Sequence, residues 1–275
     1  MDTSTQVTNP DNHSEENTEN FNLKPIPPEG IFSFSCHPGV SCFNRCCHEI
    51  DVILTPLDIL RMKTELKMRS DKFLTKFTDF QNLKETGVPM VKLRMRENSN
   101  GACIFLAGKQ GCSIYHNRPL VCRSYPLGVA SLDPRQADTL TEGQSTEARF
   151  MIQEDMCKGH LEPKTWTLKE WMKDQGTLDL EGENKPWLEI VAKLKAMKIG
   201  EKQQQEISLF IMASYDLDTF WQFVFESSFL ERFEVDKNTV KLIRSDQESL
   251  LKFGMQWLQY ALFKEGTIQP KVKDE

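Results

Sequence analysis

The chain has 275 residues, of which 39% are hydrophobic and 27% charged, with a formal net charge of −6 and a pI near 5.6. This composition is ordinary for a globular protein, and the negative charge disfavours binding to nucleic acids or anionic membranes, which favour a basic surface. No apolar run approaches the roughly 18 residues that span a bilayer, and the N-terminus lacks the features of a secretory signal. We therefore predict a cytoplasmic protein with no nucleic-acid and no membrane partner.

The first 30 residues differ in composition from the rest of the chain. Residues 1–22 contain acidic and small polar side chains but no Lys or Arg, so we expect a disordered tail. Residues 23–30, LKPIPPEG, are rich in proline and are predicted to form a stiff connector. We take 1–30 as one unit without a packed core.

Two helices and a strand are predicted next. The first helix should begin after Thr55, because Pro56 suits the first helical position and Asp58 completes a capping-box pattern. The second should begin with Ser70 as its cap. Residues 91–95, VKLRM, alternate between apolar and basic side chains, which predicts a half-buried strand.

A hairpin-like loop and a short helix follow. Residues 101–115 read as a short strand, a glycine-containing turn and a second strand, with Cys103 and Cys112 on either side. The segment between Pro119 and Pro126 is predicted to form a short helix, because proline opens helices and cannot continue them.

The second half of the chain is predicted to be helical, apart from one hairpin. Asn184 should cap a helix that ends at Gly200, and residues 216–233 should form a second helix with an aromatic face. A hairpin is expected to turn at 236–238, and a final helix to run from a Ser245 cap to Gly266. The predicted fold class is α+β and mostly helical, with a small cysteine-rich metal-binding α+β domain at 31–162 and a helical C-terminal region at 163–275.

Eight cysteines dominate the first half, and residues 158–275 contain none. In a long, unexported chain such a concentration of thiols favours a metal or redox site over disulfides. Thiolates suit zinc and iron–sulfur sites, because soft sulfur binds these metals well and magnesium or calcium poorly. The sequence therefore predicts a metal-ion partner, either zinc or iron, the latter including an iron–sulfur cluster.

The spacing of the cysteines assigns them to a tight loop and a set of returning segments. Cys36, Cys42, Cys46 and Cys47 supply the loop, and the remaining four, Cys103, Cys112, Cys122 and Cys157, supply the return. Buried free cysteines also occur as small apolar residues. This alternative has most weight for Cys103, which lies in an apolar run.

Two arginines flank Cys122 and are candidates for the same site. Arg118 and Arg123 could donate hydrogen bonds to the sulfurs or bind an anionic ligand, or they could pair with acidic side chains and hold the loop. A site with several thiolates carries excess negative charge, so we favour a role for both arginines towards the bound group. Four histidines lie near the cysteines, and each is more simply a surface or supporting residue: His37, His48, His116 and His160.

Four motifs together resemble a known family: SFSCHPGVSCFNRCC at 33–47, GACIFL at 101–106, GCSIYHNRPLVCRSYP at 111–126 and MCKGH at 156–160. They are similar to the YkgJ-type cysteine-cluster family of zinc- or iron-chelating proteins, over about residues 32–160. The family pattern Cys-x3-Cys-x2-Cys-Cys has wider gaps here, which affects Cys36 most. The resemblance implies that all eight cysteines belong to the metal site or sites. Flagellin lysine N-methylases look like distant members.

Three classes of function remain open from the sequence. The first is a metal-binding module with a structural, redox or regulatory cluster, whose helical half would bind a protein partner. The second is a cluster-dependent group-transfer enzyme, such as a protein lysine N-methylase, and the third is a metal carrier or redox sensor. No phosphate-binding loop or dinucleotide fingerprint appears in the sequence. Catalytic residues cannot be assigned from the sequence.

Overall fold

A computed structural model describes residues 22–83, 87–131, 147–197 and 203–271. The predicted disordered tail lies outside these ranges, apart from its last residue. In the described ranges the chain is mostly helical with several small antiparallel sheets, which confirms the predicted α+β class. None of the helices there combines the length and apolar character needed to cross a membrane.

The described ranges contain ten helices. They are α1 (Pro56–Glu65), α2 (Ser70–Phe77), α3 (Leu120–Ser124), α4 (Leu168–Gln175), α5 (Thr177–Met197), α6 (Gln204–Tyr215), α7 (Leu217–Phe225), α8 (Phe229–Arg232), α9 (Lys237–Ser245) and α10 (Gln247–Phe263). The predicted capping box of α1 is confirmed, since Thr55 and Asp58 exchange hydrogen bonds. The predicted cap of α2 is wrong, because Arg69 is the N-cap and the Ser70 hydroxyl instead contacts Asp216 and Asp218.

Ten short strands form the sheets. They are β1 (Asn22–Pro25), β2 (Ile31–Ser33), β3 (Ile53–Leu54), β4 (Thr78–Asn82), β5 (Pro89–Leu93), β6 (Leu127–Ser131), β7 (Glu147–Gln153), β8 (Thr165–Thr167), β9 (Phe233–Glu234) and β10 (Gln269–Pro270). Two sheets have three strands, ordered β1-β7-β6 and β3-β5-β4, and β2 pairs with β8 and β9 with β10. The predicted strand at 91–95 overlaps β5.

The proline-rich segment is not entirely a connector, because its first residues form β1. Asn22–Pro25 pairs antiparallel with β7 at the edge of its sheet. Proline is tolerated there, because an edge strand has one side without ladder hydrogen bonds.

Four predictions for the second half are wrong, and one of them is the single helix at 216–233, which is divided into α7 and α8. Asn184 is not a cap: α5 begins at Thr177 and continues through Pro186, and the Asn184 amide donates to the Leu180 carbonyl within the helix. The predicted hairpin at 236–238 is the start of α9, where the Asp236 side chain accepts hydrogen bonds from the next backbone amides. The final helix is confirmed as α10, with Asp246 as its cap instead of Ser245. The predicted helix end at Gly200 lies outside the described residues.

Two apolar clusters hold these elements together. The main core joins α1, α2 and β5 to α5, α6, α7 and α10, and it includes Phe73, Phe210 and Leu250. The minor core packs β2, β6 and β7 against α4 and contains Phe32, Phe34, Leu127, Met151, Leu168, Trp171 and Met172. The main core draws on both sides of residue 162, so a division of the chain there stays a prediction.

Candidate metal centre

The eight cysteines are free thiols that line two neighbouring cavities. The larger is an open cleft of about 2150 Å³ and the smaller is a pocket of about 30 Å³. Cys47, Cys103, Cys112 and Cys122 line the cleft, Cys42 and Cys157 line the pocket, and Cys36 and Cys46 line both. The structure therefore brings together residues that are distant in the sequence.

The N-terminal cysteine loop is built from tight turns. Asn44 adopts a left-handed conformation with φ 71°, and the single 3₁₀ turn Arg45–Cys47 follows it. The Asn44 side-chain amide donates to the Gly108 carbonyl at 2.8 Å, which ties this loop to the Cys103–Cys112 loop. A short polar side chain is favourable at position 44, because Asn tolerates positive φ better than most residues.

The Cys103–Cys112 loop lies directly beside Cys47. The Cys103 amide donates to the Cys47 carbonyl at 2.7 Å, and Leu106 and Cys112 form an isolated antiparallel bridge. The hairpin-like geometry predicted for this segment is confirmed, although its arms are bridges and turns, not regular strands.

Helix α3 brings Cys122 to the same cleft. The buried Asp58 of α1 accepts a hydrogen bond of 2.8 Å from the Leu120 amide at the start of α3. This bond fixes the position of a helix too short to be stable alone. Cys122 is exposed as a residue, but its thiol lies in the cleft. Burial of the thiol, and then the charge of neighbouring thiols, raise its pKa to about 12.

Cys157 reaches the site through a close approach of two loops. The Lys158 amide donates to the Cys42 sulfur at 3.0 Å, and the Ser35 amide donates to the Gly159 carbonyl at 3.0 Å. A Cβ at Gly159 would lie 2.8 Å from the Phe34 ring and 2.8 Å from the Ser35 carbonyl, so only glycine allows this approach.

The thiols perturb one another electrostatically. Burial first, and then the negative charge of Cys46, Cys42 and Cys157, raises the pKa of Cys36 to about 11. Cys46 differs, because a hydrogen bond from the Cys47 thiol lowers its pKa to about 7. The same contact raises the pKa of Cys47, which keeps its proton. Crowded sulfur ligands of this kind are stabilised as thiolates by a bound cation.

The two arginines have different surroundings. Arg118 stacks on the Tyr115 ring, 3.9 Å from the ring centroid. Burial raises the pKa of Cys36 and of Cys112, and the positive charge of Arg118 lowers both pKa values by a smaller amount. Arg123 instead donates to the carbonyl oxygens of Arg118, Gln175 and His116. Arg118 is therefore placed to act on the thiols, whereas Arg123 holds the loop through backbone carbonyls and not through the acidic side chains that the alternative named.

The histidines contact carboxylate, carbonyl and aromatic groups. His37 Nε2 lies 3.2 Å from a Glu162 carboxylate oxygen, and His48 Nδ1 lies 3.1 Å from the Asn44 carbonyl. The rings of His116 and His160 pack against aromatic side chains. These contacts agree with the supporting roles that the sequence favoured for them.

The chemistry of the donor set fits zinc or iron. Among the described residues, no group of three or more His, Cys, Asp and Glu side chains has already converged closely enough to hold an ion. A rotation about χ1 between staggered positions moves a cysteine sulfur by about 3 Å, so rotamer changes could close the thiols around an ion. The backbone thus gathers the thiols, and side-chain rotation would let them coordinate an ion.

Two features of the site could not be found in the sequence. One is the part of the cleft wall formed by the second half of the chain, which includes Trp171, Gln175, Leu178 and Leu188. The other is Asp58, which the capping-box pattern marks but does not connect to α3. Both depend on contacts between distant segments.

Comparison with known proteins supports a metal-chelating domain. Residues 35–158, a little under half of the chain, match the model of a family with a CxxCxxCC cysteine pattern, described as "Putative zinc- or iron-chelating domain". All eight cysteines lie inside the matched region. No curated protein and no solved structure matches the chain. The match supports a metal-binding cysteine-cluster protein, with the metal either zinc or iron.

Proposed function

We propose that this protein is a cytoplasmic metal-binding protein whose eight cysteines hold zinc or iron and whose metal stabilises the cysteine-rich half. The observation that carries the proposal is the convergence of eight free thiols, from segments between Cys36 and Cys157, on two adjoining cavities. Thiols in a reducing compartment gather in this way where they share a metal.

The local structure supports a stabilising role for the metal. The cysteine loops contain single 3₁₀ turns, isolated bridges and a five-residue helix, and they bury few large apolar side chains. In such segments the free energy of metal binding contributes directly to folding. The metal would link loops that backbone hydrogen bonds connect at only a few points.

A group-transfer enzyme is the second candidate, and the cleft favours it. The cleft, with a volume of about 2150 Å³, leaves room for a substrate, and six of the cysteines line it. A substrate in this cleft would lie against the thiols. In this case the bound metal or cluster would lie in the wall of a substrate site.

Anaerobic purification followed by elemental analysis and a visible spectrum tests the proposal. We expect zinc or iron to co-purify, and a visible absorption only if the iron is in an iron–sulfur cluster. The double variant Cys42→Ser/Cys47→Ser should lose most of the metal, and Lys109→Ala, which changes an exposed side chain, should retain it. Anaerobically prepared protein that contains no metal, and whose thiols all react with an alkylating reagent under native conditions, would refute the proposal.

A further inference from the structure

The adjacent pair Cys46 and Cys47 lies at the boundary between two groups of thiols. Successive residues of a 3₁₀ turn point about 120° apart, because the turn has three residues. The two β-carbons therefore face different sides of the loop, while the sulfurs are close enough for a hydrogen bond. Cys47 faces the cleft, and Cys46 also lines the small pocket.

The two groups rest on different apolar clusters. Cys103 and Cys112 pack against the main core, whereas Cys157 packs against the minor core. Cys42 joins Cys157 through the hydrogen bond from the Lys158 amide. The supports of the two groups are thus separate, and the N-terminal loop runs between them.

The electrostatic effects of the thiols on one another follow the same grouping, apart from those of Cys46. After burial, the charges of Cys46, Cys42 and Cys157 raise the pKa of Cys36. After burial, the charges of Cys103 and Cys112 raise the pKa of Cys122, and those of Cys103 and Cys122 add to the raised pKa of Cys47. Cys46 connects the two groups, because it affects the pKa of both Cys47 and Cys122. Cys36 and Cys46 also line both cavities.

We propose that the eight cysteines form two separate metal sites with four thiolates each. The first site consists of Cys36, Cys42, Cys46 and Cys157, and the second of Cys47, Cys103, Cys112 and Cys122. Four ligands per site match the coordination number of a structural thiolate site. The inference rests on the proposed metal binding and adds how the ligands are divided. It also explains the adjacent cysteines, because each serves a different site.

Zinc titration of four proteins tests the division. Apo protein is prepared under anaerobic, reducing conditions, loaded with Zn²⁺, desalted and analysed for zinc per chain. We expect about two zinc ions in the wild type, about one in Cys157→Ser and in Cys112→Ser, and none in the double variant. Co²⁺ loading should give the absorption of tetrahedral thiolate sites, with about half the wild-type intensity in each single variant.

The outcomes separate this inference from the proposed function. If the wild type binds no zinc, metal binding itself fails. If the wild type binds zinc but either single substitution removes all of it, the cysteines form one shared site and the division is wrong. Circular dichroism of each variant shows whether it is folded.

A second measurement keeps all eight thiols. Gly159→Ala should separate the Cys157 loop from Phe34 and Ser35, because the new Cβ has no space. We expect it to weaken the first site and leave about one zinc ion tightly bound. Gly182→Ala is the control, because nothing lies within 4 Å of its added Cβ. Mass spectrometry after alkylation should show the four thiols of the second site still protected in Gly159→Ala, and uniform loss of protection would overturn the division.

Discussion

Arg123 shows at the scale of a single residue how the cysteine loop is held. Its Nε and Nη1 atoms donate to the Arg118 and Gln175 carbonyls at 3.0 and 2.9 Å, and Nη2 donates to the His116 carbonyl. The side chain thus links the loop before α3 to the end of α4. Burial lowers the pKa of Arg123. The side chain is nevertheless held by its hydrogen bonds to the three carbonyl oxygens.

We expect Arg123→Ala to destabilise the protein without changing its zinc capacity. Loss of the donor to these three part-buried carbonyls costs about 1–3 kcal/mol in the free energy of unfolding. Urea unfolding of the zinc-loaded protein measures this cost, and zinc analysis measures capacity, with Lys109→Ala as the exposed control. An unchanged free energy of unfolding, combined with a fall in zinc affinity of about 10- to 100-fold, would instead show that Arg123 acts on the sulfurs.

At the scale of single residues, the sequence predicts which residue types belong to the site. It does not predict which residues contact one another. Sulfur chemistry, and the restriction of all eight cysteines to residues 36–157, predict that these cysteines act together. Their division into groups does not follow from the sequence, because it depends on which core each loop rests on. The Lys158 amide bonded to Cys42 could not be predicted, since every backbone has such a donor.

At the scale of elements, one polar network joins α1, α2 and α7. Asp218 accepts hydrogen bonds from Lys63 Nζ at 2.8 Å and from the Ser70 amide at 2.7 Å, and the Ser70 hydroxyl accepts one from the Asp218 amide at 2.8 Å. The Lys63 side chain is only 3% exposed and that of Asp218 17%. The network therefore satisfies a buried cation and two helix N-termini.

We expect Asp218→Ala to lower the free energy of unfolding by about 3–5 kcal/mol at neutral pH, because it leaves Lys63 charged and buried without a partner. The matched control is Asp79→Ala, whose ion pair with Arg94 is at the surface and is worth at most about 1 kcal/mol. Urea unfolding at pH 7 compares the two variants. Equal effects of the two substitutions would contradict this account.

The difference between wild type and Asp218→Ala should also depend on pH. Burial raises the pKa of Asp218, but the hydrogen bonds from Lys63 and Ser70 outweigh burial and hold the pKa below its usual value. A carboxyl with a lowered folded pKa stabilises the fold above its unfolded pKa of about 4, and this stabilisation is lost as the pH falls through the folded value. The difference should be constant from about pH 5 to 8 and shrink below about pH 4. A difference that persists at low pH would contradict the argument.

Local signals predicted some element ends and missed others for identifiable reasons. The Thr55 cap is encoded by neighbouring residues, so the sequence predicts it. Ser70 is not a cap, because its partner Asp218 is far away in the chain. Asp236 suits a turn and a helix start equally well, and the packing of α9 against α10, which is distant from the local signal, favours the helix.

At the scale of the whole molecule, the cysteine-rich half rests on the helical half. Helix α1 packs against α5, α6 and α10, and the main core continues from Val52 to Ile268. The sequence could not reveal this continuity, because the amphipathic face of a helix shows that it is buried and not which partner covers it. The two halves should therefore unfold as one cooperative unit.

We expect Phe210→Ala, in the helical half, to destabilise the first half as much as the second. Phe210 is fully buried in the main core, so its removal should cost about 3–5 kcal/mol. Hydrogen exchange followed by mass spectrometry reports the free energy of opening for amides in α1 and in α10 separately. If unfolding is cooperative, both values fall by the same amount. Phe80→Ala is the control, because Phe80 is 49% exposed and its loss should change either value by less than about 0.5 kcal/mol. Exchange that accelerates in α10 while α1 keeps its protection would show two independent units, as a boundary at residue 162 requires.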